Sequence, residues 1–455
     1  MIWCARSYPC FTNSRSATDH LLLQGVTTSP TFRSLANANY RRYAAGGVVS
    51  NVGTWMQRVA QDWLVLQLSA NSGTAIGITT GLQFLPFLLF GPLAGLVADR
   101  MPKRTLLQLT NLGMAIPAAI LGALAVTGTA ESWHVYVLAF ALGTASAFDA
   151  PARQSFVSEL VDPGDLTNAV GLNSASFNAA RIVGPAVAGL LIAAFGGGAA
   201  ATGWVILLNA ATYAAPIWAL GTLDTRLLDT PEPPPRGKGL IREGFAYIAS
   251  RPDLVLVLLI VFVVGTFGLN FQMTSALMAT EVFQVGPTAY GLLGTFMAFG
   301  SLAGALVAAR RETVRLRLVV GAALVFAVVE IAAGLMPSYL TYALIVPLLG
   351  LSALTMITSA NAFMQLHSDA GMRGRVMALY LMIFLGGTPL GAPIVGWVGE
   401  AFGARWTLIG GGAITLVGVL LAGAWRLAAV RREQASLVPA SPGRPAILAT
   451  VTRGE

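Results

Sequence analysis

Twelve long apolar stretches succeed one another along the chain, at roughly 41–68, 73–98, 104–127, 133–156, 168–195, 201–221, 254–280, 289–309, 317–336, 340–364, 375–402 and 406–426. An α-helix needs about 20 mostly apolar residues to cross the hydrocarbon core of a bilayer, so each stretch is long enough to span. Only 11% of the 455 residues are charged and 55% are apolar, whereas soluble domains carry about 25% charged residues. That charge cannot coat a water-facing surface, and a soluble enzyme is excluded. Pro86, Pro92, Pro117, Pro185, Pro347, Pro389 and Pro393 lie inside the stretches. Such prolines break soluble helices but are tolerated where membrane helices pack together. The expected fold is all-α and integral to the membrane, with twelve transmembrane helices.

One long polar break, about Thr222 to Asp253, separates six stretches from six. It contains PEPPPRGKG, whose composition is that of a semi-rigid linker, and then the amphipathic IREGFAYI. An internal repeat supports the division. ARIVGPAVAGLLIAAFG (Ala180 to Gly196) aligns with GTPLGAPIVGWVGEAFG (Gly387 to Gly403), superposing Gly184 on Gly391 and Gly189 on Gly396, and GPLAGLVA from Gly91 resembles GSLAGALV from Gly300. Two related six-helix bundles are a transporter construction, with substrate handled between them near the midplane. The expected organisation is a tail at 1–40, a bundle at 41–221, a linker at 222–253, a second, pseudo-symmetric bundle at 254–426 and a tail at 427–455. Residues 1–40 hold no apolar run long enough for a signal-peptide core and are read as a disordered tail, a start near residue 30 being the alternative.

The net charge of +8 does not point to nucleic acid, because the basic residues sit in short clusters between apolar runs. With both termini and the linker cytoplasmic, Arg58, Arg181 and Arg405 are the only basic residues outside cytoplasmic segments, as positive-inside topology requires. Cys4 and Cys10 form neither a disulfide framework nor a metal-ligand spacing, and His20, His134 and His367 are isolated. No metal or cofactor is expected.

The first stretch carries a polar face. At about 100° per residue, Asn51, Thr54, Trp55, Arg58, Gln61 and Asp62 fall within an arc of about 120°. In the fifth stretch Ser174, Asn178, Arg181 and Pro185 share one stripe. Placing Arg58, Asp62 and Arg181 against lipid costs about 2.5–3.5 kcal/mol each near mid-helix. They are therefore expected to face a central cavity, where the excess positive charge favours an anionic or hydrogen-bond-accepting substrate. A structural ion pair of Asp62 with Arg58 or Arg181 is the competing reading. In the second half Asn270, Gln272, Asn361 and Gln365 are candidates for the same cavity, with Phe267, Phe271 and Met273 as apolar lining or ordinary packing residues.

The loop after the second stretch reads GPLAGLVADRMPKR, from Gly91 to Arg104, and Gly91 and Gly95, four apart, are expected to let this helix approach a neighbour closely. It resembles the loop signature of the major facilitator superfamily, G-x-L-a-D-r-x-g-r-[KR], with Met101 and Pro102 where a glycine is usual. The fifth stretch resembles the superfamily's antiporter signature at Gly171, Gly184, Pro185 and Gly189, with Ala180 and Ala188 replacing two glycines; close helix packing is the plainer reading of these residues. NVGTWMQRVAQDWLVLQLS, DAPARQSFVSELV and RGRVMALY are together similar to the branch of enterobactin exporters and macrolide efflux proteins, over roughly residues 33 to 430. The resemblance implies a multi-pass protein of a bacterial plasma membrane that exports an amphiphilic siderophore or drug-like molecule. It further implies that Asp99 meets the start of the eleventh stretch, near Arg153 or Arg375, as a latch closing the cytoplasmic side. Arg100, Lys103, Arg104 and Arg373 belong to the latch or merely fix topology.

No GxxxxGK[ST] occurs in the sequence, so ATP hydrolysis is not expected to drive export. Proton antiport is the natural alternative, with Asp62 the first candidate carrier, Asp149 the second and Glu330 the third. The expected partners are the bilayer, a small-molecule substrate and protons, and the expected state is a monomer. An uptake carrier and a non-transporting receptor or scaffold are the alternative functions.

Overall fold

The computed structural model describes residues 30–228, 240–309, 314–369 and 371–437. Cys4, Cys10, His20, most of the N-terminal tail, the PEPPPRGKG segment and the chain beyond residue 437 lie outside the described residues. The first half contains α1 (Ala38–Leu68), α2 (Gly73–Arg100), α3 (Lys103–Thr127), α4 (Ser132–Leu160), α5 (Leu166–Ala194), α6 (Ala199–Thr212) and α7 (Ala214–Gly221). The second contains α8 (Leu240–Ala249), α9 (Pro252–Val263), α10 (Phe271–Leu277), α11 (Pro287–Ala309), α12 (Leu316–Gly334), α13 (Tyr339–Leu366), α14 (Arg373–Gly386), α15 (Thr388–Phe402) and α16 (Ala404–Leu437).

Local chemistry sets these boundaries. The Asn37 side chain accepts from the backbone N–H groups of Asn39 and Tyr40 and so caps α1, and Ser72 caps α2 through the N–H of Ala75. Gly128 ends α3 at φ 74°, a left-handed value that suits a residue without a β-carbon. Three stretches read as single spans are interrupted: α6 and α7 meet at Tyr213, π-helical turns at Val264–Gly268 and Met278–Val282 flank α10, and α14 gives way to α15 beside Pro389, which has no N–H to donate.

Among the described residues eleven helices are long and apolar enough to cross a membrane, with α6–α7, α9–α10 and α14–α15 each forming one of them. The helix left out is α1. It is 31 residues long, but Arg58, Asp62 and its asparagines and glutamines dilute its apolar character. Large apolar side chains such as Trp133, Trp204, Trp218, Leu344, Trp397 and Leu421 are exposed on the outside of the molecule, the surface that acyl chains cover.

The tail and linker boundaries differ from those read in the sequence. Residues 30–40 are ordered: Pro30–Ala36 forms a 3₁₀ turn strapped to the start of α5, where Arg33 pairs with Asp165 at 2.5 Å and the Ser34 hydroxyl donates to Asn168 Oδ1 at 2.6 Å. The amphipathic segment of the linker is helix α8, and α16 continues to Leu437. Polar and ionic neighbours, invisible to an apolar-run criterion, hold the Pro30–Ala36 turn and α8 in place.

The superposed glycines of the repeat make equivalent contacts. A β-carbon on Gly184 would lie 3.0 Å from Val52 O of α1, and one on Gly391 would lie 1.7 Å from Thr266 O in the corresponding helix of the second half. Gly189 abuts Pro287 at the start of α11, as Gly396 abuts Gly73 at the start of α2. Gly91 and Gly95 break the pattern. Nothing lies within 4 Å of where their β-carbons would be, although their counterparts Gly300 and Gly304 press on α13. The close approach read for Gly91 and Gly95 is therefore not made. A β-carbon on Gly300 would fall 1.8 Å from Pro347 O, so Gly300→Val should destabilise the bundle by about 1–3 kcal/mol, measured as a lower thermal midpoint in detergent, whereas Gly95→Val should leave it unchanged.

Candidate functional site

The chain halves meet along α2–α15 and α5–α11, with α1 and α10 between them. Here α1 turns its polar face inward: Asn51, Gln61 and Asp62 are buried, and Trp55 and Arg58 are partly so. Arg58 Nη1 lies 3.5 Å from Gln272 Oε1, and its guanidinium sits 4.9 Å from the Trp55 ring centroid and 5.6 Å from that of Phe84. The Arg181 guanidinium, from α5, is 5.5 Å from the same Trp55 ring. Two cations thus share one indole, a face that attracts positive charge. Gln61 Nε2 faces Gln83 Oε1 at 3.5 Å.

Asp62 does not pair with either arginine among the described residues, so the competing ion-pair reading is not realised. Its partner comes from the other half: the Tyr290 hydroxyl of α11 donates to Asp62 Oδ2 at 3.0 Å and lies 3.3 Å from Gln272 O. The Tyr290 ring stacks on Trp63 at 6.0 Å. Asp62, Tyr290, Gln272 and Arg58 therefore form a chain of polar groups crossing from one half to the other, and neither Arg58 nor Arg181 makes an ion pair among the described residues.

The other predicted cavity residues divide. Gln272 joins the chain. Asn178 donates to Ser174 O, Asn270 to Thr266 O, and Gln365 to Asn361 Oδ1, all within their own helical segments. Met273 is buried in the apolar core, with Phe267 and Phe271 against it. Gly184, Pro185 and Gly189 pack tightly, Gly184 against Trp55 and Pro185 against Gly291 and Gly294 of α11. Gly171 is exposed with nothing within 4 Å of its β-carbon position, so its expected packing contact is absent.

Asp149 belongs to a separate buried network inside the first half. It accepts from Thr110 Oγ1 at 2.8 Å and from Arg153 Nε at 2.7 Å, and Arg153 Nη1 reaches Asn51 Oδ1 at 3.5 Å. A buried carboxylate with an arginine and a hydroxyl is satisfied where it stands. Glu330 is the opposite case. It is 1% exposed and its Oε2 has no hydrogen-bond partner. Gly268 and Gly411, whose β-carbons would come within 3.2 and 3.3 Å of its oxygens, leave it room between the two neighbouring helices.

The residues expected to form a latch are dispersed. Asp99 and Arg100 are exposed and make no hydrogen bond or ion pair among the described residues, and Arg373 is also exposed. Lys103 pairs with Glu159 of α4, and Arg104 donates to Leu220 O at 2.6 Å and Gly221 O at 2.9 Å, holding the carbonyl end of α7. Arg375 pairs with Glu243 of α8 at 2.6 Å. At this basic end of the molecule Leu89, Leu93 and Leu96 of α2 are exposed. At the far end α2 and α15 touch backbone to backbone around Gly73, Gly77 and Gly396. The halves are closed against each other at the far end.

A family model described as transmembrane secretion effector matches residues 29–452. The chain belongs to that family of major facilitator transporters. It is 26% identical over 375 residues to the multidrug efflux pump Tap of Mycolicibacterium fortuitum, covering 80% of this chain and 89% of that one. It is 29% identical over 279 residues to the MFS-type transporter YfiS of Bacillus subtilis, covering 59% and 63%. Against the staphyloferrin A transporter of Staphylococcus aureus it is 32% identical over 145 residues, covering 32% and 36%. The chain thus spans less than two thirds of the length of these last two relatives. Among solved structures, a bacterial homolog of the human lysosomal transporter Spinster, inward-facing and unoccupied, superposes with a TM-score of 0.67 at 16% identity, covering 88% of this chain and 99% of that one. The D-xylose–proton symporter gives 0.66 at 13%, covering 84% and 96%. The transporter is a multi-pass membrane protein, its family and relatives are transporters rather than enzymes, and its relatives include drug efflux proteins and a siderophore transporter.

Sequence reasoning missed Tyr290, Gln83 and Phe84. Each lies on an otherwise apolar helix, and only Gln83 carried a signal, an amide inside an apolar run. Replacing an orphaned buried acid by an apolar side chain of similar volume removes an unmet desolvation cost. Glu330→Leu should therefore keep or raise the thermal midpoint of the purified transporter, while Glu330→Lys should abolish recovery of folded protein.

Proposed function

We propose that this transporter exports an amphiphilic, anionic or hydrogen-bond-accepting small molecule from a bacterial cell by alternating access, coupled to inward movement of protons. The observation that carries the reading is the pair Arg58 and Arg181, both over Trp55, neither in an ion pair among the described residues, and both at the boundary between the halves. An aromatic surface with two cations suits a ligand with an apolar body and an acceptor group. The named efflux pumps and the staphyloferrin A transporter among its relatives support a siderophore or drug-like cargo.

In this reading α1 is the twelfth spanning helix, its polar face sheltered rather than lipid-exposed, and the chain forms two six-helix bundles with both termini cytoplasmic. The basic end is then the cytoplasmic one, and the conformation is open to the cytoplasm. Closure of that side brings Asp99 to the positive start of α14, a contact favourable to a carboxylate, while Arg375 leaves Glu243. Asp62 is the coupling residue, because its hydrogen bond to Tyr290 spans the moving boundary. A proton on Asp62 changes that bond in the same step that changes the charge beside Arg58.

Export is tested in inside-out vesicles containing the purified transporter, with a siderophore and a macrolide as probes. Arg58→Gln and Arg181→Gln should each lower uptake into these vesicles at least tenfold with normal recovery of folded protein, and wild-type rates in both would remove the substrate-contact role. An imposed gradient, acid inside the vesicle, should drive accumulation by wild type and not by Asp62→Asn. If the gradient has no effect on wild type, the coupling is not to protons.

A further inference from the structure

Among the described residues the closed far end holds one ionised contact between the halves. Glu400 lies near the end of α15, and its Oε2 accepts from Ser72 Oγ at 2.7 Å and from the backbone N–H of Thr74 at 3.0 Å. Ser72 is the N-cap of α2, its hydroxyl oxygen accepting in turn from the Ala75 N–H at 3.1 Å. A carboxylate from the second half thus completes the cap of a helix in the first, where unpaired N–H groups and the helix dipole both favour negative charge.

The surroundings make this more than an incidental surface bond. Directly beneath it a β-carbon on Gly73 would lie 2.4 Å from Gly396 O, one on Gly77 would lie 2.5 Å from Ala392 O, and one on Gly396 would lie 2.2 Å from Gly73 O. The two helices can approach that closely only through bare backbone, and the approach brings Glu400 onto the first turn of α2. The matching contact between α5 and α11 is held by a neutral bond, Thr288 Oγ1 to Gly189 O at 3.3 Å, and carries no ionised pair among the described residues. Glu400 also sits at the exposed rim, where water can replace the Ser72 and Thr74 donors when the helices part. At the other end of α2, Asp99 makes no ion pair among the described residues. The same helix pair therefore offers a carboxylate at each end, and only the far-end one is engaged.

We infer that Glu400 is the lock of the far-end gate, holding the halves together while the basic end is open and releasing the N-terminus of α2 when the transporter turns. The inference rests on the alternating-access reading given above. It is tested by electron–electron distance measurement on the reconstituted full chain with Cys4 and Cys10 replaced by Ser and spin labels on Thr129→Cys and Pro337→Cys, exposed positions in far-end loops of the two halves. Wild type should show a short and a long distance. Glu400→Ala should raise the ratio of long to short about fivefold, the scale of losing a helix cap, with Glu400→Gln, which keeps an acceptor oxygen, falling between. Ser72→Ala, altered on the opposite helix, should shift the ratio in the same direction. Unchanged ratios in Glu400→Ala and Ser72→Ala, with two distances in wild type, overturn the lock and leave alternating access standing. A single distance in wild type with and without a pH gradient overturns both.

Discussion

The structure depends on the cost of exposing charge to hydrocarbon. Arg58, Asp62 and Arg181 would together lose roughly 7–10 kcal/mol against lipid, a penalty comparable with the whole stability of many domains. They can sit at mid-membrane depth only if other helices enclose them. That requirement places α1 in the interior, turns its polar face toward the second half and leaves a polar seam between the halves.

The seam is held differently along its length. Near the middle, single hydrogen bonds cross it: Tyr290 to Asp62, Arg58 to Gln272, and Thr295 to Ile182 O at 2.7 Å. At the far end, glycine and proline backbones lie in direct contact, with Glu400 capping α2 above them. Within each half helices also pack backbone against backbone, as where Gly143 meets Gln83 O and Gly300 meets Pro347 O. Interiors packed this way do not deform gradually, so under the proposed alternating access motion is confined to the seam. There few bonds must be exchanged and each has a substitute in water or in a polar neighbour.

Buried polar groups away from the seam serve the halves themselves. Asp149 with Arg153, Thr110 and Asn51 ties α1, α3 and α4 together, and Gln57 accepts from Asn209 to tie α1 to α6. Arg104 and Lys103, which resemble parts of a moving latch in sequence, are engaged inside the first half and brace α7 and α4 against the loop that carries Asp99. Asp99 makes no ion pair among the described residues, and Arg375 pairs with Glu243 of α8.

The sequence by itself made eleven spans among the described residues legible, because twenty apolar residues in a row have few fates other than crossing a bilayer. It also determined that Arg58, Asp62 and Arg181 had to be sheltered, because their penalty depends on depth and not on neighbours. The repeat made Gly184 and Gly391 readable as equivalent. Only the tertiary structure decided who shelters whom. Tyr290 lies on an apolar helix 228 residues from Asp62, and Glu400 looks like any charge at a helix end until α15 is laid against α2. Likewise Gly91 and Gly95 read as packing residues yet stand clear, since a glycine permits close approach without compelling it. Local composition fixes what each segment must avoid, while long-range packing selects its partner, and for a transporter that selection differs between the two ends of one helix pair.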